Sequence, residues 1–147
     1  MCNVIKKHSI TSELAQKMVD AAVAKARELD VSENVAILDD GGILKVFSRM
    51  DGAPIPTIEM AQNKAYTALL GVSTRDFFNA IQSDPSLVAG VPTLSRIAAW
   101  AGGFPIKVNG ELVGAIGVSG APTVQSDEEC AKAALAVVSE AVLRMKA

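Results

Sequence analysis

Apolar residues recur along this chain with two periods, one helical and one alternating, and the switches between them lay out the elements. Ala15, Val19, Ala22, Ala26 and Leu29 fall at helical spacing, with Leu14 and Met18 beside them. This stripe predicts an amphipathic helix capped by Thr11 or Ser12, whose hydroxyls can accept an early backbone N–H. Val35–Leu38 and Ile43–Ser48 are short runs rich in branched residues on either side of Asp39-Asp40-Gly41-Gly42. Apolar runs around such a turn predict a hairpin. Pro54 and Pro56 punctuate the following loop, and a second helix is predicted from about Thr57 to Leu70, ending at Gly71. Ser73 and Asp76 have capping-box spacing ahead of Phe77, Phe78 and Ile81, so a short third helix is expected.

From Asp84 to Gly103 the period is lost, and Pro85, Gly90, Pro92, Gly102 and Gly103 interrupt the chain. A long irregular stretch of this kind reads as a binding loop, with a short strand near Ile97–Trp100. Phe104–Val108 and Glu111–Ser119 flank Asn109-Gly110, a strong hairpin signal, and Pro105 belongs at a strand start or edge. The last helix opens at Ser126-Asp127-Glu128-Glu129, with acids at the positive end of its dipole. Its apolar stripe includes Ala131, Ala134, Leu135, Val138 and Val142. Within Glu111–Ser119, Leu112, Gly114, Ile116 and Val118 alternate with Val113, Ala115, Gly117 and Ser119. Neither set is charged, so both faces are expected to be covered. The fold class that follows is α/β (α+β), a three-layer α/β/α arrangement around a mainly antiparallel sheet. No repeat, linker or low-complexity tract divides the chain, so a single domain over 1–147 is expected.

Composition narrows the function classes. Half of the 147 residues are hydrophobic and 20% are charged, which excludes a disordered chain. Net charge is −2 and no Lys/Arg run occurs, so a nucleic-acid partner is not expected. No apolar stretch reaches the roughly 18–20 residues of a membrane span. Met1 to His8 lacks the apolar core of a signal peptide, and a cytoplasmic location is expected. Two cysteines, Cys2 and Cys130, and one histidine, His8, do not make a disulfide scaffold or a four-ligand zinc site. No metal centre is therefore expected. Helices rich in Ala and Gly suit close contacts between subunits, so a homo-oligomer is expected.

Few residues carry candidate chemistry. Lys64 lies on one helical line with Thr57, Ala61 and Ala68, a stripe of otherwise small residues. Its ammonium either points into a pocket, holding an anionic group or acting as a base, or snorkels over a helix interface. Arg49 and Asp51 close the second strand, where Arg49 clamps an anionic group or the two pair locally. Asp39 and Asp40, placed before two glycines, read as turn formers. Gly114, Gly117 and Gly120 lie in and after a hairpin strand rather than between a strand and a helix, so they are not a dinucleotide fingerprint. They read as points of close backbone approach. Ser119 lacks nucleophile-elbow spacing. For a haem iron, His8, Cys2 and Tyr66 have suitable chemistry. None stands in a diagnostic motif, and His8 reads as a solvated residue before the first helix.

Asp39 to Gly42, Arg49 to Ala53, Lys64 to Ala68, Gly102-Gly103 with Pro105, and Gly114 to Gly120 together resemble the GlcG/HbpS family, which includes the carboxy-terminal domain of PduO-type proteins. The resemblance covers nearly the whole chain. It implies a profilin-like fold with an antiparallel sheet of about five strands and symmetric oligomers. Some members bind haem or act beside corrinoid enzymes, and others are encoded with glycolate, diol or glycerol metabolism. The function it implies is a small-molecule-binding accessory protein for an anionic cofactor such as a tetrapyrrole (haem) or corrinoid. A pocket near Lys64 is expected, with Arg49 and Asp51 beside it and Gly102, Gly103, Gly117, Ser119 and Gly120 as its close-approach wall. For haem itself, weak or no axial ligation is expected, since His8 is the one imidazole. Two alternatives stay open. One is an enzyme acting on a small hydroxy acid, aldehyde or diol-derived metabolite. The other is a structural subunit of an enzyme complex.

Overall fold

The computed structural model describes residues 3–146. Thr11 caps the first helix, its Oγ1 accepting from Leu14 N–H at 3.1 Å, and α1 runs over Ser12–Glu28. Strands β1 (Asn34–Asp39) and β2 (Leu44–Arg49) follow. Asp39 builds their turn by accepting from Gly41 and Ile43 N–H, and Gly42 takes a positive φ. Next come α2 (Thr57–Ala68), α3 (Thr74–Ile81), α4 (Pro85–Gly90) and a 3-10 turn over Val91–Thr93. Ser73 caps α3, its Oγ accepting from Asp76 N–H. Strands β3 (Gly103–Val108) and β4 (Glu111–Ser119) are joined by Asn109-Gly110, both at positive φ, as a primed hairpin turn requires. Helix α5 (Val124–Lys146) closes the chain, starting two residues earlier than its acids indicated.

The four strands form one antiparallel sheet in the order β2-β1-β4-β3. Helix α2 covers one face, and α1 and α5 pair with each other over the opposite face. Met18, Val19, Ile37, Ile106, Ile116 and Val138 form the core on the α1/α5 side. The α2 side is thinner and built from Leu38, Ala65, Ala68 and Ala115. Pro105 falls on the edge strand β3, where its missing N–H breaks no inner ladder.

Three expectations are corrected. Residues 85–93, part of the stretch expected to be irregular, form α4 and the 3-10 turn, with Asp84 Oδ1 accepting from Ser86 N–H as the helix cap. Among the described residues the sheet has four strands, not about five. Residues 97–100 form no strand, because Ala98 N–H donates to Thr67 Oγ1 on α2 at 2.8 Å instead of joining a ladder. A bulge also breaks the β3–β4 register, so that Ile106 opposes Gly114 and Lys107 opposes Leu112. The odd residue, Val113, joins the α1/α5 core instead of sharing a face with Ala115.

The topology gives the sheet two chemically different ends. At one end lie Asn34, the Arg49–Pro54 loop, Gly103 and Ser119. At the other lie both hairpin turns and the amino-terminal segment, fastened by Ile10 N–H to Val113 O at 3.0 Å.

Candidate functional site

The first end holds a sealed cluster of ionisable groups. Lys64 projects from α2, is fully buried, and donates to Val118 O at 2.9 Å and Asp127 Oδ2 at 2.6 Å. Asp127 sits in the first turn of α5, so this ion pair joins the two helical layers around the end of the sheet. Ala121 N–H donates both to Asp127 Oδ1 at 3.2 Å and to Glu33 Oε2 at 2.9 Å. Glu33 is fully buried and its other oxygen, Oε1, has no partner. Burial, followed by the neighbouring Asp127 carboxylate, pushes Glu33 up to about 8. Two acids thus face one buried ammonium, and Glu33 keeps its proton at neutral pH. Burial likewise pulls Lys64 below the ordinary lysine value, opposed by Asp127 and Glu33. Cys130, buried beside them, is pushed up to about 12 mainly by burial, so it is no thiolate at neutral pH.

Small residues make this packing feasible. A Cβ at Gly102 would come within 2.8 Å of Lys64 Nζ and 2.6 Å of Val118 O. At Gly103 it would run into Lys64 O, and at Gly117 into Ala61 O. At Gly120 it would meet Ser32 O at 2.7 Å and Glu33 Oε2 at 3.1 Å. Ser119 is buried, and its carbonyl accepts from Asn34 Nδ2 at 3.4 Å. Asn34 Nδ2 also donates to Thr57 Oγ1 at 2.7 Å.

Lys64, Gly102, Gly103, Gly117, Ser119 and Gly120 therefore come together, but around a packed interior instead of an open pocket. Arg49 and Asp51 stand apart. They are exposed and line a shallow cavity of about 270 Å³ with Val23, Arg27, Ser48 and Met50, on the α1 side of the sheet. Asp127 and Glu33 escaped the sequence reading. Asp127 looked like an ordinary helix-start acid, and nothing in Ser32-Glu33-Asn34 marks Glu33 as buried.

The second end presents the histidine. The segment before α1 runs beside the start of β4, and His8 N–H donates to Glu111 Oε1 at 3.3 Å. The His8 ring bonds through Nδ1 to Glu111 Oε2 at 2.6 Å. His8 is 79% exposed, and Nε2 has no protein partner among the described residues. The same bond holds the Glu111 carboxyl below its ordinary range. His8 is thus solvated, as expected, but oriented. Tyr66 instead lies under the Arg96 guanidinium, 3.7 Å from its ring centre. Cys2 lies outside the described residues.

A family described as haem degrading protein HbpS-like matches residues 10–136. An uncharacterised 15.0 kDa protein of the dhaT-dhaS intergenic region of Citrobacter freundii is 38% identical over 90% of this chain and 94% of its own length. GlcG of Escherichia coli K12 is 33% identical over 75% of this chain and 81% of its own. Corrinoid adenosyltransferase PduO of Citrobacter freundii is 29% identical over 89% of this chain, which spans only 39% of that enzyme. Among solved structures, HbpS superposes with a TM-score of 0.85 at 32% identity, covering 92% of this chain and 94% of that one. A PduOC–haem complex gives 0.81 at 28%, covering 88% and 94%.

Proposed function

This chain belongs to the HbpS-like family, and from that premise we propose that it is a ligand-binding accessory protein for haem, held through His8. This departs from the weak ligation expected of a lone solvated imidazole, and the observation that carries it is the setting of the ring. Metal-ligating histidines commonly bond a carboxylate through the second ring nitrogen, which fixes the tautomer and strengthens the donor. His8 has this partner in Glu111 and leaves Nε2 to solvent. Val4 and Ile5, in the same segment, and Ile43, beside the first hairpin turn, are exposed and offer apolar area to a macrocycle. Haem supplies a redox-active iron when bound. The chain's own part is to present Nε2, to hold the ring through Glu111 and to cover a face of the ligand.

The family's description and one relative's structure support the reading, since the family is described as haem degrading and PduOC was crystallised with haem. A corrinoid would use the same imidazole and is the nearest alternative ligand. Lys64 has no part in it, because Asp127 already meets its charge. The protein is expected to be cytoplasmic, to self-associate and to serve small-metabolite catabolism.

Titration of the purified protein with haemin tests this directly. A saturable Soret band at one haem per chain is expected, with affinity reduced at least tenfold in His8→Ala. Equal binding by the wild type and His8→Ala would remove His8 from the site and the proposal with it.

A further inference from the structure

We propose that the cavity between α3, the Ala99–Gly102 loop and the start of α5 is a second ligand site, taking a small neutral planar aromatic molecule that carries a hydrogen-bond acceptor. The cavity is lined by Arg75, Phe78, Ala99, Trp100, Ala101 and Val124, with a volume of about 200 Å³. An apolar space of about 150 Å³ is enough for benzene. One substituted ring therefore fits, and a tetrapyrrole does not, so the site is separate from the His8 surface.

Two aromatic side chains of this lining reach solvent, Trp100 at 44% and Phe78 at 46% exposure. Their rings offer faces and edges to a flat partner, and aromatic pairs favour such offset or edge-to-face contacts beyond what area alone gives. Arg75 supplies the directional contact. Glu128 accepts from its Nε and Nη2 at 2.6–3.1 Å, which fixes the guanidinium plane. Nη1 makes no hydrogen bond among the described residues, so its two N–H groups remain for an acceptor. Charge selects a neutral ligand. Glu128 offsets Arg75, and Asp76 adds a further negative charge in the same turn, so the rim has no spare positive charge for an anion.

The lining loop is pinned just beyond Ala101. Gly102 O accepts from Val118 N–H at 2.9 Å, and Gly103 N–H donates to Thr74 Oγ1 at 3.0 Å. Lys64 lies directly behind Gly102. A loop pinned at these points loses little freedom on binding.

Trp100 is the single tryptophan, so the full-length protein gives one indole N–H resonance, which reports on this cavity alone. Benzamide, a neutral ring with one carbonyl acceptor, is the probe. It is expected to move that resonance saturably, and both Phe78→Ala and Arg75→Leu are expected to weaken it about tenfold. Toluene, which has no acceptor, is expected to bind wild type and Arg75→Leu alike, which separates a lost hydrogen bond from a collapsed cavity. Benzoate and acetamide are expected to act at least tenfold more weakly than benzamide. The proposal is overturned if benzamide gives no saturable shift up to its solubility limit, or if acetamide shifts the resonance as strongly. It is equally overturned if Trp100 is shielded by a second copy of the chain, shown by an indole shift that follows protein concentration and not benzamide.

Discussion

Lys64 shows at the scale of one residue how burial changes the expected cost of a substitution. A surface lysine usually changes stability by less than about 0.5 kcal/mol. Lys64 is fully buried on Asp127, and removing one partner of such a pair commonly costs about 3–5 kcal/mol. Lys64→Met is therefore expected to lower the urea unfolding free energy by that order. A loss below about 1 kcal/mol would mean that Asp127 and Glu33 find other partners. Glu33 gives a signature in pH. Its folded value, about 8, lies above the ordinary glutamate value of 4.5, so the native state binds the extra proton. Stability from this group is full below about pH 4.5 and falls as pH rises towards 8, by on the order of a few kcal/mol. Glu33→Gln keeps the shape without the titration. It is expected to flatten the decline between pH 5 and 8 and to be more stable than wild type at pH 8.5. Parallel pH profiles for the two proteins would place the proton elsewhere.

Between elements, the spacing of α2 from the sheet is set by missing side chains. Gly117 faces Ala61 on α2, and a methyl there would run into Ala61 O and come within 2.6 Å of Ala65 N. These are backbone atoms of a helix, which cannot rotate away as a side chain can. Gly117→Ala is expected to cost at least about 3 kcal/mol, towards the upper end of overpacking effects. Gly90 is the control. It ends α4 with nothing within 4 Å of an added Cβ and with φ at −81°. Gly90→Ala is expected to be neutral or to stabilise by up to about 1 kcal/mol. Thermal melts of the two variants side by side check both statements.

For the whole molecule, the two ends of the sheet divide the labour. One is a sealed ion cluster that ties the helical layers together, and the other carries the oriented imidazole. Exposed apolar side chains lie along both α4 and α5, among them Leu87, Val88, Leu143 and Met145. Self-association covering such surfaces is expected, with obligate interfaces commonly burying more than about 2,000 Å² in total. Light scattering at micromolar concentration should give a mass above the 15.3 kDa of one chain, and a monomer would refute this.

Local signals in the sequence determined four of the five helices, both hairpins and the antiparallel sheet, because caps, turn residues and apolar periods act over a few residues; α4, in the stretch that read as an irregular loop, is too short to show a period. Thr11 caps α1, Asn109-Gly110 turns β3 into β4, and the uncharged faces of Glu111–Ser119 required cover on both sides. The close-approach glycines were legible for the same reason, since a small residue in a strand has few other uses. The missing fifth strand was not, because the choice of Ala98 N–H between a ladder and Thr67 Oγ1 depends on where α2 lies. Nor was the state of the charged residues. Lys64 is closed off by an acid 63 positions away and His8 is oriented by one 103 positions away, while Arg49 and Asp51 open onto α1. Burial and charge pairing arise between elements brought together by the fold, and only the tertiary structure decides them.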